Sequence, residues 1–257
     1  MRNGTEVTLS QELLEQRLTR PFKYFDRVES SNDEASAWLA AGAPAGAAVI
    51  ANEQTRGRGR GGRHWHTPPN VSLALSLILK PDGAYLPRLN MLAALSVYDL
   101  ARECGCEVVG IKWPNDVQVN GLKVSGVLPE AIWEAGELRG AILGIGVNVR
   151  MDFSGTELQE SAISLEDIVK KRLDRGELIA KLLRRVDHWY CRIASPTLFS
   201  TWKSRLNTLG QSVTVNGVKG VALDVNTAGA LLIRDDKGHT HRIDGGDLII
   251  QPANESR

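Results

Sequence analysis

The chain reads as an α/β (α+β) protein, with one large domain over residues 1–209 and a small C-terminal β-barrel over residues 210–257. Three observations predict this. Apolar runs of strand length recur through the first 150 residues, at 47–51 (AAVIA), 71–79 (VSLALSLIL) and 141–149 (AILGIGVNV). Among and after them lie longer stretches with apolar residues at helical spacing, at 86–104 and 177–193. From Gln211 the texture changes: short strands alternate with turn signals at Asn216-Gly217, 227–229, Lys237-Gly238 and Gly245-Gly246, the pattern of a small barrel.

In chain order, residues 1–7 read as disordered, and Thr8 or Ser10 caps a helix that runs to about Thr19, ahead of Pro21. A strand over 23–28 leads to ESSN (29–32) and a helix, with Asn32 as N-cap and Asp33 and Glu34 complementing the positive helix start. Ser30, Ser31 and Asn32 either cap this helix or face a ligand from its first turn. Gly42 and Pro44 stop it. After the strands at 47–51 and 71–79, the helix over 86–104 ends at Gly105, and 107–111 returns as a strand. KWPNDV (112–117) follows, where Pro114 interrupts regular structure and Lys112, Asn115 and Asp116 stand between apolar strands. Strands at 117–119 and 123–128 pair across Asn120-Gly121, a type I′ hairpin signal. Lys123 begins the second of these, either as a solvated edge residue or as a site residue. Gly144 and Gly146 interrupt the last apolar strand, which marks close approach of a ligand or of other backbone; Asn148 projects from the same strand. Helices start at Ser164, Glu177 and Pro196, and the domain boundary falls near Leu209-Gly210. His188, His239 and His241 have no catalytic partner spacing and read as surface or satisfied histidines.

Composition narrows the function classes. The net charge is +1 over 257 residues, so no global field favours nucleic acid. No run approaches 18 apolar residues and the N-terminus lacks an apolar signal core, which predicts a cytoplasmic protein with no membrane contact. Cys104, Cys106 and Cys191 fit no metal spacing and read as free thiols.

The segment 54–66, QTRGRGRGGRHWH, is the concentrated exception. Arg56, Arg58, Arg60, Arg63 and His64 stand among glycines. Alternating Arg and Gly favours neither helix nor packed strand, and the guanidiniums repel one another until an anion arrives. A mobile loop that closes on a negative ligand fits, with glycine backbone N–H groups and arginine forks as contacts and Trp65 as a flat face. An RGG-type nucleic-acid segment and a plain surface loop are the alternatives. The strands on either side place the loop at the mouth of a folded site, and the low net charge favours a small anion.

ESSN, QTRGRGRGGRHW, KWPNDV, KVSGVLPE (123–130) and GIGVNV (144–149), in this order, resemble the biotin protein ligases. The resemblance covers residues 22–150 and, more loosely, the C-terminal barrel. It implies a mixed sheet with flanking helices similar to class II aminoacyl-tRNA synthetases, followed by an SH3-like barrel. It also implies a two-step reaction in which biotin and ATP give biotinyl-5′-AMP, and a lysine of a biotin carboxyl carrier protein then takes the biotin. On this match Ser30, Ser31, Asn32 and Gln54 contact biotin's ureido ring, and Gly57, Arg58, Gly59 and Arg60 form the loop over biotin and phosphate. Lys123 contacts carboxylate and α-phosphate. Arg58, Arg60, Arg63, Trp65, Asn115, Asp116, Lys123 and Asn148 hold ATP; Lys123, Arg60 and Asp116 carry the catalysis, with Asp116 as a candidate contact for Mg²⁺ or for the attacking amine. Ser31 stands where many relatives carry Thr, and Gly61 and His64 where many carry basic residues. ATP, Mg²⁺ and biotin are the implied small molecules, with no tightly bound organic cofactor. The implied partner is the carrier domain of acetyl-CoA carboxylase or a related carboxylase, with a homodimer left open. About 21 residues precede the first matched strand, too few for a helix-turn-helix, so the ligase-only type without DNA binding is expected. A lipoate or octanoate ligase, an RNA-binding protein and a non-catalytic biotin sensor are the competing readings.

Overall fold

The computed structural model describes residues 8–251, so the expectation for residues 1–7 lies outside it. The chain runs through α1 (Gln11–Glu15), β1 (Phe22–Val28), α2 (Ser31–Ala40), β2 (Ala48–Gln54), β3 (Ser72–Leu79), α3 (Arg88–Cys104), β4 (Val109–Lys112), β5 (Asp116–Val119), β6 (Leu122–Glu134) and β7 (Glu137–Asn148). Then come α4 (Leu165–Val169), α5 (Arg175–Tyr190), α6 (Pro196–Ser204), β8 (Ser212–Val215), β9 (Val218–Val225), β10 (Leu231–Arg234), β11 (Thr240–Ile243) and β12 (Ile249–Ile250). Strands β1 to β7 form one sheet in the order β1-β2-β3-β7-β6-β5-β4. β1 and β2 are parallel, joined through α2, and every other neighbour pair is antiparallel, so the sheet is mixed.

Strand alternation gives this sheet two unlike faces. Leu73, Leu75, Leu77 and Leu79 of β3, with Leu143, Ile145 and Val147 of β7, enter the main core under α3 and α5. The other face of the same strands carries Ala74 and Ser76, and Gly144 and Gly146. Here α2 packs over Val49, Ile78 and Ile142 through Ala35 and Leu39. Beyond α2 the small side chains leave the sheet uncovered by bulk, and the resulting hollow is where the site lies.

Four elements differ from their sequence expectation. α1 ends at Glu15 rather than near Thr19, though Ser10 caps it by accepting from the Leu13 N–H. α2 starts earlier, with Ser30 at the N-cap and Asn32 inside the first turn. β6 and β7 extend well beyond 123–128 and 141–149, and a second tight turn joins them at Ala135-Gly136 (φ 50° and 81°). Pro129, Glu130, Glu134, Glu137 and Arg139 break the apolar pattern there, because this hairpin tip is largely solvated. The Asn120-Gly121 turn has positive φ at both residues (52° and 81°), as a type I′ turn requires.

The C-terminal strands form a five-stranded sheet, order β11-β10-β9-β8-β12, antiparallel throughout. Val213, Val215, Ala222, Leu231 and Ile233 belong to the same apolar cluster as α3 and the large sheet. Trp113 of KWPND is buried at this junction and donates its indole N–H to the Gly229 carbonyl at 2.8 Å. Cys104 and Cys106 are buried, and burial pushes the Cys104 thiol up to about 11, which keeps it protonated and inert. Among the described residues no helix is long and apolar enough to cross a membrane.

Candidate active site

A cavity of about 860 Å³ opens between the small-residue face of the sheet, the first turn of α2, residues 58–66 and the end of the C-terminal sheet. Its inner end is neutral and hydrogen-bonded. Ser30, Ser31 and Asn32 are buried, and Ser30 makes no side-chain capping bond, so these residues face the cavity rather than serve the helix end alone. The Ser31 N–H donates to Gln54 Oε1 (2.8 Å), and Gln54 Nε2 donates to Thr67 Oγ1 (3.1 Å). Ser76 Oγ donates to Asn32 Oδ1 (2.6 Å) and lies 2.8 Å from Ser31 Oγ. Asn32 Nδ2 donates to Glu130 Oε2 (2.5 Å). Fixed amides and hydroxyls in a buried recess suit a polar but uncharged head group.

Residues 55–66 form a folded-back loop rather than an unstructured one. The Trp65 N–H donates to the Gly57 carbonyl (2.8 Å) and the Gly59 N–H to the Arg63 carbonyl (2.7 Å), with an isolated bridge between Arg58 and His64. Gly57 is required by closeness, since a Cβ there would lie 2.3 Å from the Trp65 carbonyl oxygen. Gly61 and Gly62 make the tip with φ of 65° and 76°. The loop directs Arg58 toward α2, where Glu130 accepts from both NH1 (2.7 Å) and NH2 (2.8 Å) and Asp33 accepts from NH2 (2.7 Å). Arg63 pairs with Asp247 at 2.7 Å.

Arg60 turns into the cavity. It makes one long hydrogen bond, to Asn115 Oδ1 at 3.3 Å, and no ion pair among the described residues. Burial pushes its guanidinium down from its ordinary value, and the pull of Asp116 and Asp247 in the other direction does not fully offset this. The cation is therefore short of negative charge at this point, which an anionic ligand would supply.

Lys123 stands beside it. Its backbone is bonded to residues 161–163 on one side (N–H to the Ser161 carbonyl, carbonyl from the Ile163 N–H, both 2.9 Å), so the lysine is interior to the fold and not a solvated edge. Its Nζ pairs with Asp116 Oδ1 at 2.7 Å and lies 5.6 Å from the Trp65 ring centroid. Asn115 is anchored by donating to the Val127 carbonyl (2.6 Å). Asn148 donates to the Lys123 carbonyl (3.3 Å). Trp65 lies over Gly146, where a Cβ would fall 2.3 Å from its indole, and its Nε1 is buried with no hydrogen-bond partner among the described residues. The same cavity is also lined by Phe153, Leu158 and Ala162.

All the site residues named from sequence, Gly57, Gly59 and Arg63 included, therefore meet at or around one cavity. Sequence reasoning missed Asp33, Glu130 and Asp247, which neutralise the loop arginines, and Ser76, which ties Ser31 to Asn32. A signal for Ser76 was present in VSLALSLIL, where Ser72, Ala74 and Ser76 alternate with leucines. Asp247 had none.

The family model for the biotin/lipoate A/B protein ligase family matches residues 24–148. A Bacillus subtilis bifunctional ligase/repressor BirA is 34% identical over 84% of this chain and 70% of its own length. A biotin–[acetyl-CoA-carboxylase] ligase of Paracoccus denitrificans is 31% identical over 82% of this chain and 93% of its own. Among solved structures, the Aquifex aeolicus biotin protein ligase in complex with biotin and ATP superposes with a TM-score of 0.77 at 28% identity, covering 90% of this chain and 98% of that one.

Proposed function

The chain belongs to the biotin/lipoate A/B protein ligase family, and on that premise we propose that it activates biotin with ATP and transfers it to a lysine of a biotin carboxyl carrier domain. The observation that carries this reading is a single cavity joining a neutral hydrogen-bonding end (Ser31, Asn32, Gln54) to a cationic end (Arg60, Lys123), where the Trp65 ring centroid lies 5.6 Å from the Lys123 Nζ. A ureido ring suits the first end. A carboxylate and a triphosphate, which repel each other in water, suit the second.

In the first step a biotin carboxylate oxygen attacks the α-phosphorus of ATP, the bond to the β-phosphate oxygen breaks, and pyrophosphate leaves. Lys123 and Arg60 lie where they would neutralise both reacting anions. Holding the two reactants in line supplies roughly 7–11 kcal/mol of the barrier reduction. Asp116, with Asn115 beside it, suits a Mg²⁺ held jointly with substrate phosphates, an ion that takes only one or two protein carboxylates in such sites. Mg²⁺ bound there would neutralise the triphosphate. In the second step the carrier lysine's neutral amine attacks the acyl carbon of biotinyl-AMP, the mixed anhydride breaks, and AMP leaves with its electron pair. Asp116, which pairs with Lys123 in the free protein, would receive the amine proton once Lys123 engages phosphate and the Mg²⁺ site has emptied with pyrophosphate. The loop excludes water from the labile anhydride.

Biotin-dependent exchange of label between pyrophosphate and ATP tests the reading, run beside lipoate and octanoate. Exchange with biotin alone is expected, followed by transfer to a purified carrier domain. Exchange with lipoate but not biotin would reassign the substrate, and biotin binding without exchange would make the protein a sensor. RNA retention with a steep salt dependence and no exchange would select the nucleic-acid reading.

A further inference from the structure

We infer that Glu130 is a positioning residue that couples the biotin-recognising end of the cavity to the arginine-glycine loop; this rests on the function proposed above. The hydrogen bonds at the inner end form one unbroken chain. It runs from Thr67 to Gln54, from Gln54 to Ser31, from Ser31 to Ser76, from Ser76 to Asn32, and from Asn32 to Glu130. From Glu130 it reaches Arg58 through two bonds. One terminus lies at the loop's stem, where Gln54 and Thr67 are bridged, and the other at Arg58 on its arm. Every link beneath the head group thus bears on the loop's position.

Glu130 is the link that converts a neutral chain into a charged one. One carboxylate oxygen accepts from both Asn32 and Arg58, and the other accepts from Arg58 alone. A ligand that fixes the Asn32 amide therefore fixes the carboxylate, and the carboxylate fixes the guanidinium in a two-point geometry that only a carboxylate at this position provides. Asp33 also pairs with Arg58, yet its carboxylate has no hydrogen bond to Asn32 among the described residues and its side chain is 58% exposed. It serves as the internal control: an exposed ion pair contributes little.

The test reads loop order directly. Arg56, Arg58, Arg60 and Arg63 make the loop a trypsin substrate when open, and biotin should protect it in the wild-type protein. In Glu130→Gln, which keeps the shape and removes the charge, the loop should be cut several-fold faster than wild type even at saturating biotin. The biotin KM in pyrophosphate exchange should rise about tenfold, the scale of one charged hydrogen bond, while the ATP KM at saturating biotin stays within about twofold. Asp33→Asn should leave protection as in wild type. If Glu130→Gln melts early, Ser76→Ala replaces it, cutting the same chain without altering the loop's charge, with the same loss of protection expected. Wild-type protection in Glu130→Gln, or an equal loss in Asp33→Asn, overturns the inference. Failure of the wild-type protein to exchange at all would instead overturn the ligase reading.

Discussion

Of the four loop arginines, Arg60 alone has no ion pair among the described residues, and it has the most to gain from substrate. It lies between Gly59 and the positive-φ Gly61, with one 3.3 Å hydrogen bond and Gly245 against its fork. A bond from it to a phosphate or carboxylate oxygen contributes roughly 1.5–3 kcal/mol, so Arg60→Gly should weaken adenylate retention by about one to two orders of magnitude. The added glycine also raises the entropy that closure must remove. Lys123, Arg58 and Arg63 remain, so adenylation should suffer less than retention. The variant is expected to release biotinyl-AMP and to label unrelated proteins, measured as biotin in a non-carrier protein; tight retention at a usable adenylation rate would refute the lid role. Lys123 makes a different prediction. Its side chain contributes one ion pair, to Asp116, and a cation–π contact with Trp65, so Lys123→Gln should fold normally. Adenylate formation should fall on the order of 10²–10³-fold, as with other lost transition-state donors, and wild-type exchange would return Lys123 to a purely structural role.

At the scale of elements, β7 shapes the site by what it omits. Gly146 lies beneath Trp65, and its carbonyl accepts from Ser125 Oγ. Gly146→Ala strains no backbone, because the φ here is ordinary, but a Cβ 2.3 Å from the indole overpacks the site and should cost roughly 1–3 kcal/mol of stability. Its methyl would displace the indole, and a stacked base contributes roughly 1–3 kcal/mol, so the ATP KM should rise about 5- to 150-fold. An unchanged ATP KM would show that the base does not use Trp65. The exit from β7 is pinned by Glu166 of α4. Burial alone would raise this carboxyl, but hydrogen bonds from Arg150, the Leu173 N–H and Arg172 outweigh it and hold the group below its ordinary value. A depressed carboxyl contributes stability above its unfolded value, about 4.3, and loses it as pH falls through the folded one. Glu166→Gln should therefore cost roughly 2–3 kcal/mol at pH 7, with the difference from wild type shrinking below about pH 4. Urea melts at both pH values check this, and equal stability at pH 7 would mean that solvent screens the cluster.

For the whole molecule, the C-terminal sheet is part of the site's construction. Asp247 holds Arg63, Gly245 lies against Arg60, and Gly229 accepts from Trp113 beside the KWPND turn. Trp202 and Met91 pack where Gly229 approaches. A chain cut after Leu209 would leave the Trp113 indole N–H without its acceptor and uncover this apolar junction. We expect it to melt well below the full chain and to lose adenylation together with transfer. Exchange and transfer assays on the two chains separate the possibilities: full exchange with transfer alone lost would confine the small sheet to carrier docking.

The sequence by itself determined the strands, the long helices, the type I′ turn at Asn120-Gly121 and the motif residues that meet in the cavity. Apolar period, glycine placement and turn chemistry are local properties, and each is written within a few neighbouring residues. Whether Ser30 to Asn32 merely cap a helix, and whether Lys123 is a solvated edge, was decided by tertiary structure, because both depend on which strand or loop lies opposite. The counter-charges follow the same logic. Glu130 meets Arg58 across 72 positions of sequence, and Asp247 meets Arg63 from the loop between β11 and β12. Such pairings are set by sheet register and by the packing of one sheet against another, and no local pattern around either partner encodes them.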